Sequence, residues 1–299
     1  QMGGSQIWLE PGEEMTLREL MKAIAIVSAN DACVAVAEYL YGTADNFVDK
    51  MNEEAEELGL KNTYFYNTNG LPVDESEVQG NYTTALDMAI MARELLKYPK
   101  VLEWTSTWID YLRDGDSVLN NTNWLVRHYK GADGIKTGYT QEAKFCVTST
   151  AQKKGLRFIA VIMAANNSKK RFKEAAQLLS YGFNTYESLT IAEKNEIIKK
   201  LNINNAKKAE VEIVVSKKTT VPVRKGEEEE ISKKIVLPDN IKAPLKKGEK
   251  VGKLKVFKGN LLLKNQDLVV NRDVKKASIW KMLIRILKHL VYSLINLFS

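Results

Sequence analysis

The net charge of this 299-residue chain changes sign near residue 189. Residues 1–189 contain 19 Lys and Arg against 25 Asp and Glu, which gives a net charge of −6. Residues 190–299 contain 25 against 12, which gives +13 and leaves +7 for the whole chain. A difference this large predicts two separately folded units, the second of which lies near an anionic partner such as a membrane surface.

The composition excludes several classes of protein and of site. Hydrophobic residues make up 44% and charged residues 27%, as in globular chains, which excludes global disorder, collagen and a polytopic membrane protein. With only two His, His128 and His289, and two Cys, a His-rich or four-Cys metal centre is excluded. We therefore predict no metal or cofactor, and we expect Cys33 and Cys146 to be buried free thiols, with a disulfide between them as the alternative. The sequence contains no motif of interleaved aromatic and basic residues that would indicate nucleic-acid binding.

Residues 1–189 combine predicted helices with predicted strands. Thr16 and Glu19 have the spacing of a capping box, followed by apolar residues at helical intervals. The further predicted elements are helices over 32–41 and 45–58, a helix from Thr83 or Thr84 to just before Pro99, strands over 145–151 and 157–164, and an amphipathic helix over 169–188. This order predicts a mixed α/β domain in which helices cover an antiparallel sheet.

Residues 190–277 have a different pattern of residue types. Short runs rich in Val and Ile alternate with turns of Lys, Gly and Pro, and the runs cover residues 211–215, 231–237, 251–257, 261–263 and 268–270. This alternation predicts a small all-β domain.

Residues 278–299 are amphipathic. Their polar residues fall on one helical face, and three cations lie in the first half. A membrane-spanning helix needs about 20 mostly uncharged residues, so the pattern favours a helix that lies in the plane of a membrane surface and anchors the chain. A spanning helix and a helix packed on its own domain remain the alternatives.

Two short motifs carry most of the functional information. Ser28-Ala29-Asn30 lies between two apolar helices, and Lys136-Thr137-Gly138 opens the sheet segment about a hundred residues later. Each tripeptide occurs by chance, but their order and context resemble the low-molecular-mass penicillin-binding proteins, the serine-type D-alanyl-D-alanine carboxypeptidases. The resemblance extends through GGSQIWLEPGEEMT, AIVSANDACVAVAEYL, LGLKNTYFYNTNGLP and GIKTGYT. It implies a transpeptidase-like domain over 1–189, a β-rich spacer and a membrane anchor.

The resemblance also implies roles for individual residues. Ser28 would relay a proton to the leaving amine, since a hydroxyl both donates and accepts, and Asn30 would bind the substrate amide. Capping of the following helix is the alternative role for both residues.

The second motif would bind the terminal carboxylate of the substrate. Lys136 would attract the carboxylate with its positive charge, and Thr137 would offer it a hydroxyl. Gly138, which has no Cβ, would let the ligand come close to the strand. The backbone N–H of Tyr139 would form half of an oxyanion hole. Arg171 would help to hold the carboxylate, although a solvated helix start is equally consistent with its neighbours.

The nucleophile motif Ser-x-x-Lys of this family is missing upstream of Ser28. The single match, Ser278-Ile279-Trp280-Lys281, lies in the tail and is interpreted as a chance occurrence. The resemblance places the serine just before Gln1, so we interpret the chain as truncated, with an incomplete transpeptidase-like domain.

The implied activity is removal of the terminal D-Ala from peptidoglycan stem peptides, with β-lactams as inhibitors, at the extracytoplasmic face of the membrane. A β-lactamase is disfavoured, because no Glu-x-x-Leu-Asn element lies between Ser28 and Lys136. A catalytically inactive paralogue that binds peptidoglycan as a scaffold remains the alternative.

Overall fold

The computed structural model describes residues 3–72, 80–203 and 205–280. The chain divides into two compact units, Gln1–Asn184 and Thr185–Ser299, which are described separately below. The boundary predicted between residues 189 and 190 falls inside a strand of the second unit, Tyr186–Ala192.

The first unit is a mixed α/β domain. In chain order it contains α1 (Leu17–Val27), α2 (Asn30–Tyr41), α3 (Ala44–Glu57), α4 (Ala85–Leu95), α5 (Pro99–Thr105), β1 (Ile109–Leu112), β2 (Ser117–Asn120), α6 (Leu125–His128), β3 (Ala132–Thr140), β4 (Lys144–Lys153), β5 (Leu156–Ala165) and α7 (Ser168–Thr185). Strands β1 and β2 form a hairpin, and β3, β4 and β5 form an antiparallel sheet in that order.

Helix α1 begins at the capping box that the sequence predicts. The Glu19 N–H donates to Thr16 Oγ1, and the Glu19 carboxylate accepts the Thr16 N–H at 2.8 Å. The inward face of α1 packs against α2 and against the buried side of the β1–β2 hairpin. The core residues that make this contact include Leu20, Ile26, Leu112 and Leu119. This packing fixes the position of the turn between α1 and α2.

The sheet is held by a second apolar cluster, formed with α6 and α7. Its buried members are Leu125, Val147, Ala151, Ala160, Phe172, Ala175 and Leu179. Among the described strands β3 pairs with β4 alone, so its other side is an edge of the sheet. The register Lys136↔Thr148 and Gly138↔Cys146 places the second motif in the middle of that edge strand.

The second unit is an all-β domain. Its strands are β6 (Tyr186–Ala192), β7 (Ile197–Asn202), β8 (Glu210–Val215), β9 (Thr219–Arg224), β10 (Ile231–Val236), β11 (Lys250–Lys258) and β12 (Leu261–Val270). Strands β6 and β9 pair, and the remaining five form a sheet in the order β10-β11-β12-β8-β7. Its core is mostly Val, Ile and Leu and includes the fully buried Ile213, Leu254 and Leu268.

Several elements differ from the sequence prediction. The β1–β2 hairpin lies between the helix predicted to end before Pro99 and the predicted sheet segment, where no element is predicted, because its strands have only four residues each and show no clear alternation. Helix α7 ends at Thr185 instead of 188, because Tyr186 begins a strand that pairs with β9. The two runs at 261–263 and 268–270 belong to one strand.

The predicted amphipathic segment 278–299 lies almost entirely outside the described residues. In the part of the chain that is described, no helix is long and apolar enough to cross a membrane.

Candidate active site

Ser28 occupies a turn in which its backbone conformation is unusual. It ends α1 with φ 65° and ψ 41°, the left-handed region in which glycine is the common residue. Its hydroxyl caps neither helix, since the N-cap of α2 is Ala29, which makes no side-chain capping bond. A serine at such a position leaves its side chain available for another purpose.

The fold brings Lys136 to that hydroxyl from 108 residues away. Lys136 Nζ donates to Ser28 Oγ at 2.7 Å and to the carbonyl oxygen of Thr137 at 2.8 Å. Two of the residues predicted from separate motifs therefore meet in one hydrogen bond. Both the direction of the donation and the short distance suit the transfer of a proton through Ser28.

The environment of Lys136 disfavours its charged form. Burial, with a smaller contribution from the Arg171 charge, lowers the pKa of Lys136 to about 8. The neighbouring Cys33 thiol has its pKa raised to about 11, chiefly by burial, so it stays protonated near neutral pH. A lysine with such a pKa exists in both protonation states close to neutral pH, as a group that exchanges protons requires.

Lys136→Met is expected to stabilise the first unit at pH 7. Below pH 8 the lysine is charged in both the folded and the unfolded protein, so folding carries the full free-energy cost of burying the charge. Above pH 8 the unfolded protein binds more protons than the folded protein. Stability therefore rises with pH, and the cost disappears as the pH approaches 10.5. We expect the free energy of unfolding to rise by about 1–2 kcal/mol at pH 7. Removing the buried charge relieves a cost of about 3 kcal/mol, and loss of the hydrogen bond to Ser28 offsets part of this gain. Urea unfolding at pH 7, 8, 9 and 10 measures it.

The gain should shrink steadily between pH 8 and pH 10. The exposed Lys169 provides the control, because Lys169→Met should leave stability nearly unchanged at every pH. A stability difference for Lys136→Met that does not vary with pH would show that the titration of this lysine is not its cause.

Thr137 is buried and bonded to a residue that the sequence analysis did not identify. Its hydroxyl donates to Thr122 Oγ1 at 2.7 Å, and the Thr122 N–H donates to the carbonyl oxygen of Ile26 in the last turn of α1. Thr122 therefore connects the Ser28 side of the site to β3. No motif marks it, since its position depends on the loop between β2 and α6.

Gly138 and Tyr139 lie at the exposed end of the motif. A Cβ added at Gly138 would meet no protein atom within 4 Å, so the packing of this domain does not require glycine there. The open space is instead suitable for a ligand that approaches the edge of β3. The Tyr139 side chain is 57% exposed and its ring packs on Phe145 at 4.4 Å between centroids.

Arg171 is 8% exposed and lies behind the same strand. Its Nη1 donates to the carbonyl oxygens of Gly138 at 3.0 Å and Cys146 at 3.1 Å, while its buried Nε has no hydrogen-bond partner. This guanidinium thus holds the backbone of β3 and β4 at the second motif. The solvated position that its lysine-rich neighbours suggested is not observed.

Asn30 is buried at the start of α2 and faces the segment near the N-terminus. Its Nδ2 donates to the carbonyl oxygen of Gly3 at 3.0 Å, and its backbone N–H donates to that of Ser5 at 2.8 Å. A Cβ at Gly4, where φ is +63°, would lie 2.7 Å from Asn30 Nδ2, so glycine permits this close approach. Residues 3–5 therefore lie directly beside the Ser28–Asn30 turn.

The remaining sequence predictions concern single residues. Cys33 and Cys146 are both free and half-buried. His128 is exposed and stacks on Trp124 with ring centroids 3.8 Å apart. Within residues 3–72, 80–203 and 205–280, no group of three or more His, Cys, Asp or Glu side chains is placed to hold a metal ion.

Comparison with known proteins identifies the family of this chain. The family model of the D-alanyl-D-alanine carboxypeptidases matches residues 1–167, and that of the C-terminal domain of penicillin-binding protein 5 matches residues 186–276. The chain belongs to the D-alanyl-D-alanine carboxypeptidase family. It is thus a low-molecular-mass penicillin-binding protein related to the serine peptidases of the cell wall.

Similar proteins extend over most of the chain. The D-alanyl-D-alanine carboxypeptidase DacF of Bacillus subtilis is 44% identical over 280 residues, which cover 92% of this chain and 71% of that protein. A solved structure of a peptidoglycan synthesis regulatory factor, PBP3, from Streptococcus pneumoniae is 26% identical, with a TM-score of 0.81 over 92% of this chain and 82% of that one.

Penicillin-binding protein D2 from Listeria monocytogenes, solved in an ampicillin-bound form, is 31% identical. Its TM-score is 0.56, over 61% of this chain and 74% of that one.

Proposed function

We propose that this chain provides the proton-relay and substrate-binding groups of a serine D-alanyl-D-alanine carboxypeptidase. The observation that carries the proposal is the 2.7 Å hydrogen bond from Lys136 Nζ to Ser28 Oγ. The substrate would be a peptidoglycan stem peptide ending in D-Ala-D-Ala, and the terminal D-Ala would leave as the amine after protonation through Ser28. Thr137, Gly138 and Tyr139 would bind the terminal carboxylate and the reacting carbonyl, and Arg171 would hold the backbone of β3 and β4 behind them.

The nucleophile would come from the Ser-x-x-Lys motif that the resemblance places before Gln1. An apolar cavity of about 640 Å³ supports this part of the proposal, because it borders Lys136 and Thr148. Side chains of α3 and α4 line it, among them Met51, Ala55 and Met88. A helix with an apolar face would fill this space and bring its serine next to Lys136.

The proposed reaction forms an acyl-enzyme on that serine. The serine loses its proton to the lysine of its motif as its oxygen attacks the carbonyl carbon of the penultimate D-Ala, the peptide bond breaks, and this proton passes through Ser28 to the departing amine of the terminal D-Ala. Water then hydrolyses the ester. A β-lactam would acylate the same serine, as the ampicillin-bound Listeria relative suggests by similarity. The enzyme would act at the extracytoplasmic face of the membrane, with residues 278–299 as its anchor.

A labelling experiment tests the proposal. We expect a longer form of the protein that carries a Ser-x-x-Lys segment before Gln1, called the full-length protein here, to release D-Ala from a D-Ala-D-Ala peptide and to be labelled by a fluorescent penicillin. Residues 1–299 alone should do neither, because binding groups without a nucleophile cannot form an acyl-enzyme. Stable labelling at any serine of residues 1–299 would contradict this account. A full-length protein that binds peptidoglycan but is never labelled would favour the inactive scaffold.

A further inference from the structure

Trp8 is exposed in a backbone conformation that is unfavourable for a large side chain. Its φ is 58°, in the left-handed region, and 63% of the residue is exposed to solvent. Burial of the indole therefore does not compensate for the strain. Strained residues of this kind persist only where the surrounding structure fixes them, and they are concentrated at functional sites.

One charged side chain holds the backbone N–H groups on both sides of Trp8. The N–H of Ile7 donates to Asp31 Oδ1 at 3.2 Å, and the N–H of Leu9 donates to Asp31 Oδ2 at 3.1 Å. Ile7 is buried in the core with α1, and Leu9 packs against the same cluster. Since both neighbours point inward, the Trp8 ring points to solvent.

A second charged side chain holds the carbonyl groups of the same segment. Arg113 Nη1 donates to the Ile7 oxygen at 2.9 Å, and Nη2 donates to the Trp8 oxygen at 3.3 Å. The Glu13 carboxylate accepts from the same guanidinium at 2.7 and 2.9 Å, which fixes its orientation. The segment around Trp8 is therefore fixed from two sides. The Asp31 carboxylate binds its N–H groups, and the Arg113 guanidinium binds its carbonyl oxygens.

This segment lies next to the candidate site. Asp31 directly follows Asn30, and Asn30 itself bonds to the carbonyl oxygens of Gly3 and Ser5. We propose that the Trp8 ring binds the sugar of a peptidoglycan fragment whose stem peptide lies at the Ser28–Asn30 turn. The proposal rests on the proposed function, since it extends the same substrate outward from the reacting bond.

Three considerations favour a sugar as the ligand. The apolar C–H face of a pyranose ring packs on an indole while its hydroxyls remain hydrated. Three stem residues between the penultimate D-Ala and the sugar span roughly 10 Å when extended, which lets one molecule occupy the turn and the segment beside it. Glu10, Glu13 and Glu14 follow Trp8 closely in sequence, so an anionic lipid surface would be repelled there.

Binding of two fragments that lack the terminal D-Ala tests the proposal. The full-length protein is titrated by calorimetry with a disaccharide tetrapeptide and with the free tetrapeptide, neither of which presents the D-Ala-D-Ala bond. We expect the sugar-bearing fragment to bind about 5- to 10-fold more tightly. Trp8→Ala should abolish this preference without changing the Kd of the free peptide, and Trp8→Phe should retain part of it.

Two further variants separate recognition from folding. Tyr39 is 77% exposed on regular α2 backbone, nine residues beyond Asn30, so Tyr39→Ala should leave the preference unchanged. Trp8→Gly should raise the Tm by roughly 2–4 °C, because glycine adopts this φ without strain, and should still lose the preference.

Equal affinity of the parent for both fragments, or a preference that persists in Trp8→Ala and Trp8→Gly, would overturn the proposal. So would a parent that does not bind the sugar-bearing fragment. Failure of the proposed hydrolysis would be seen separately, as no release of D-Ala, and would leave this difference in affinity intact.

Discussion

Replacing Lys136 by alanine in the full-length protein will slow acylation by a fluorescent penicillin by about 10²–10⁴-fold, the range for loss of a proton-transfer group. The ammonium group lies 2.7 Å from Ser28 Oγ, and burial already lowers its pKa to about 8. The alanine variant loses both the donor to Ser28 and the positive charge that we propose attracts the substrate carboxylate. The rate of appearance of labelled protein after rapid mixing measures the effect.

Two other variants make this result specific. Arg171→Ala should slow acylation less, because its guanidinium contacts backbone carbonyls behind β3 and not the Ser28 hydroxyl. Lys169→Ala, an exposed position on α7, should have no effect. Lys136→Met should acylate as slowly as Lys136→Ala although it is expected to be more stable than the parent at pH 7, which would exclude unfolding as the cause. A larger loss in Arg171→Ala would show that the roles are assigned incorrectly.

The fold was predictable where the sequence pattern is local. The capping box at Thr16 and Glu19 and the long strands β4 and β5 follow from spacing and from runs of apolar residues. The β1–β2 hairpin was not predictable, because four-residue strands do not show a period and their pairing depends on contact with α1. The strands β6 and β9 pair across about thirty residues, so neither is evident from its own segment.

The residues of the candidate site likewise divide into those that local sequence patterns identify and those that only the tertiary fold reveals. Ser28 and Lys136 belong to motifs that can be recognised in the sequence, and the structure places them in contact. Thr122 could not be recognised, because its role depends on two hydrogen bonds, one to Thr137 and one to Ile26, that only the fold creates. The strain at Trp8 was equally hidden, since a tryptophan in a sequence gives no sign of its backbone angles.

Removal of residues 277–299 should abolish binding to liposomes. The segment 278–299 contains eight large apolar residues away from its polar face, namely Trp280, Leu283, Ile284, Leu287, Leu290, Val291, Leu294 and Phe298. Partial burial of these side chains at a membrane surface would contribute several kcal/mol, on the basis of about 25 cal/mol per Å² of apolar area. Lys281, Arg285 and Lys288 would each add at most about 1 kcal/mol of attraction to anionic lipid.

The remaining lysines of the second unit should contribute little to this binding, because salt screens charges beyond about 10 Å. A chain ending at Lys276 should therefore stay in the supernatant after sedimentation with vesicles, while residues 1–299 should pellet with them and remain bound in moderate salt. Neutral substitutions at the three cations of the tail should weaken binding to anionic vesicles more than to zwitterionic ones. Equal sedimentation with and without the tail would mean that this segment packs on its own domain, since apolar area already buried against protein is not available to lipid.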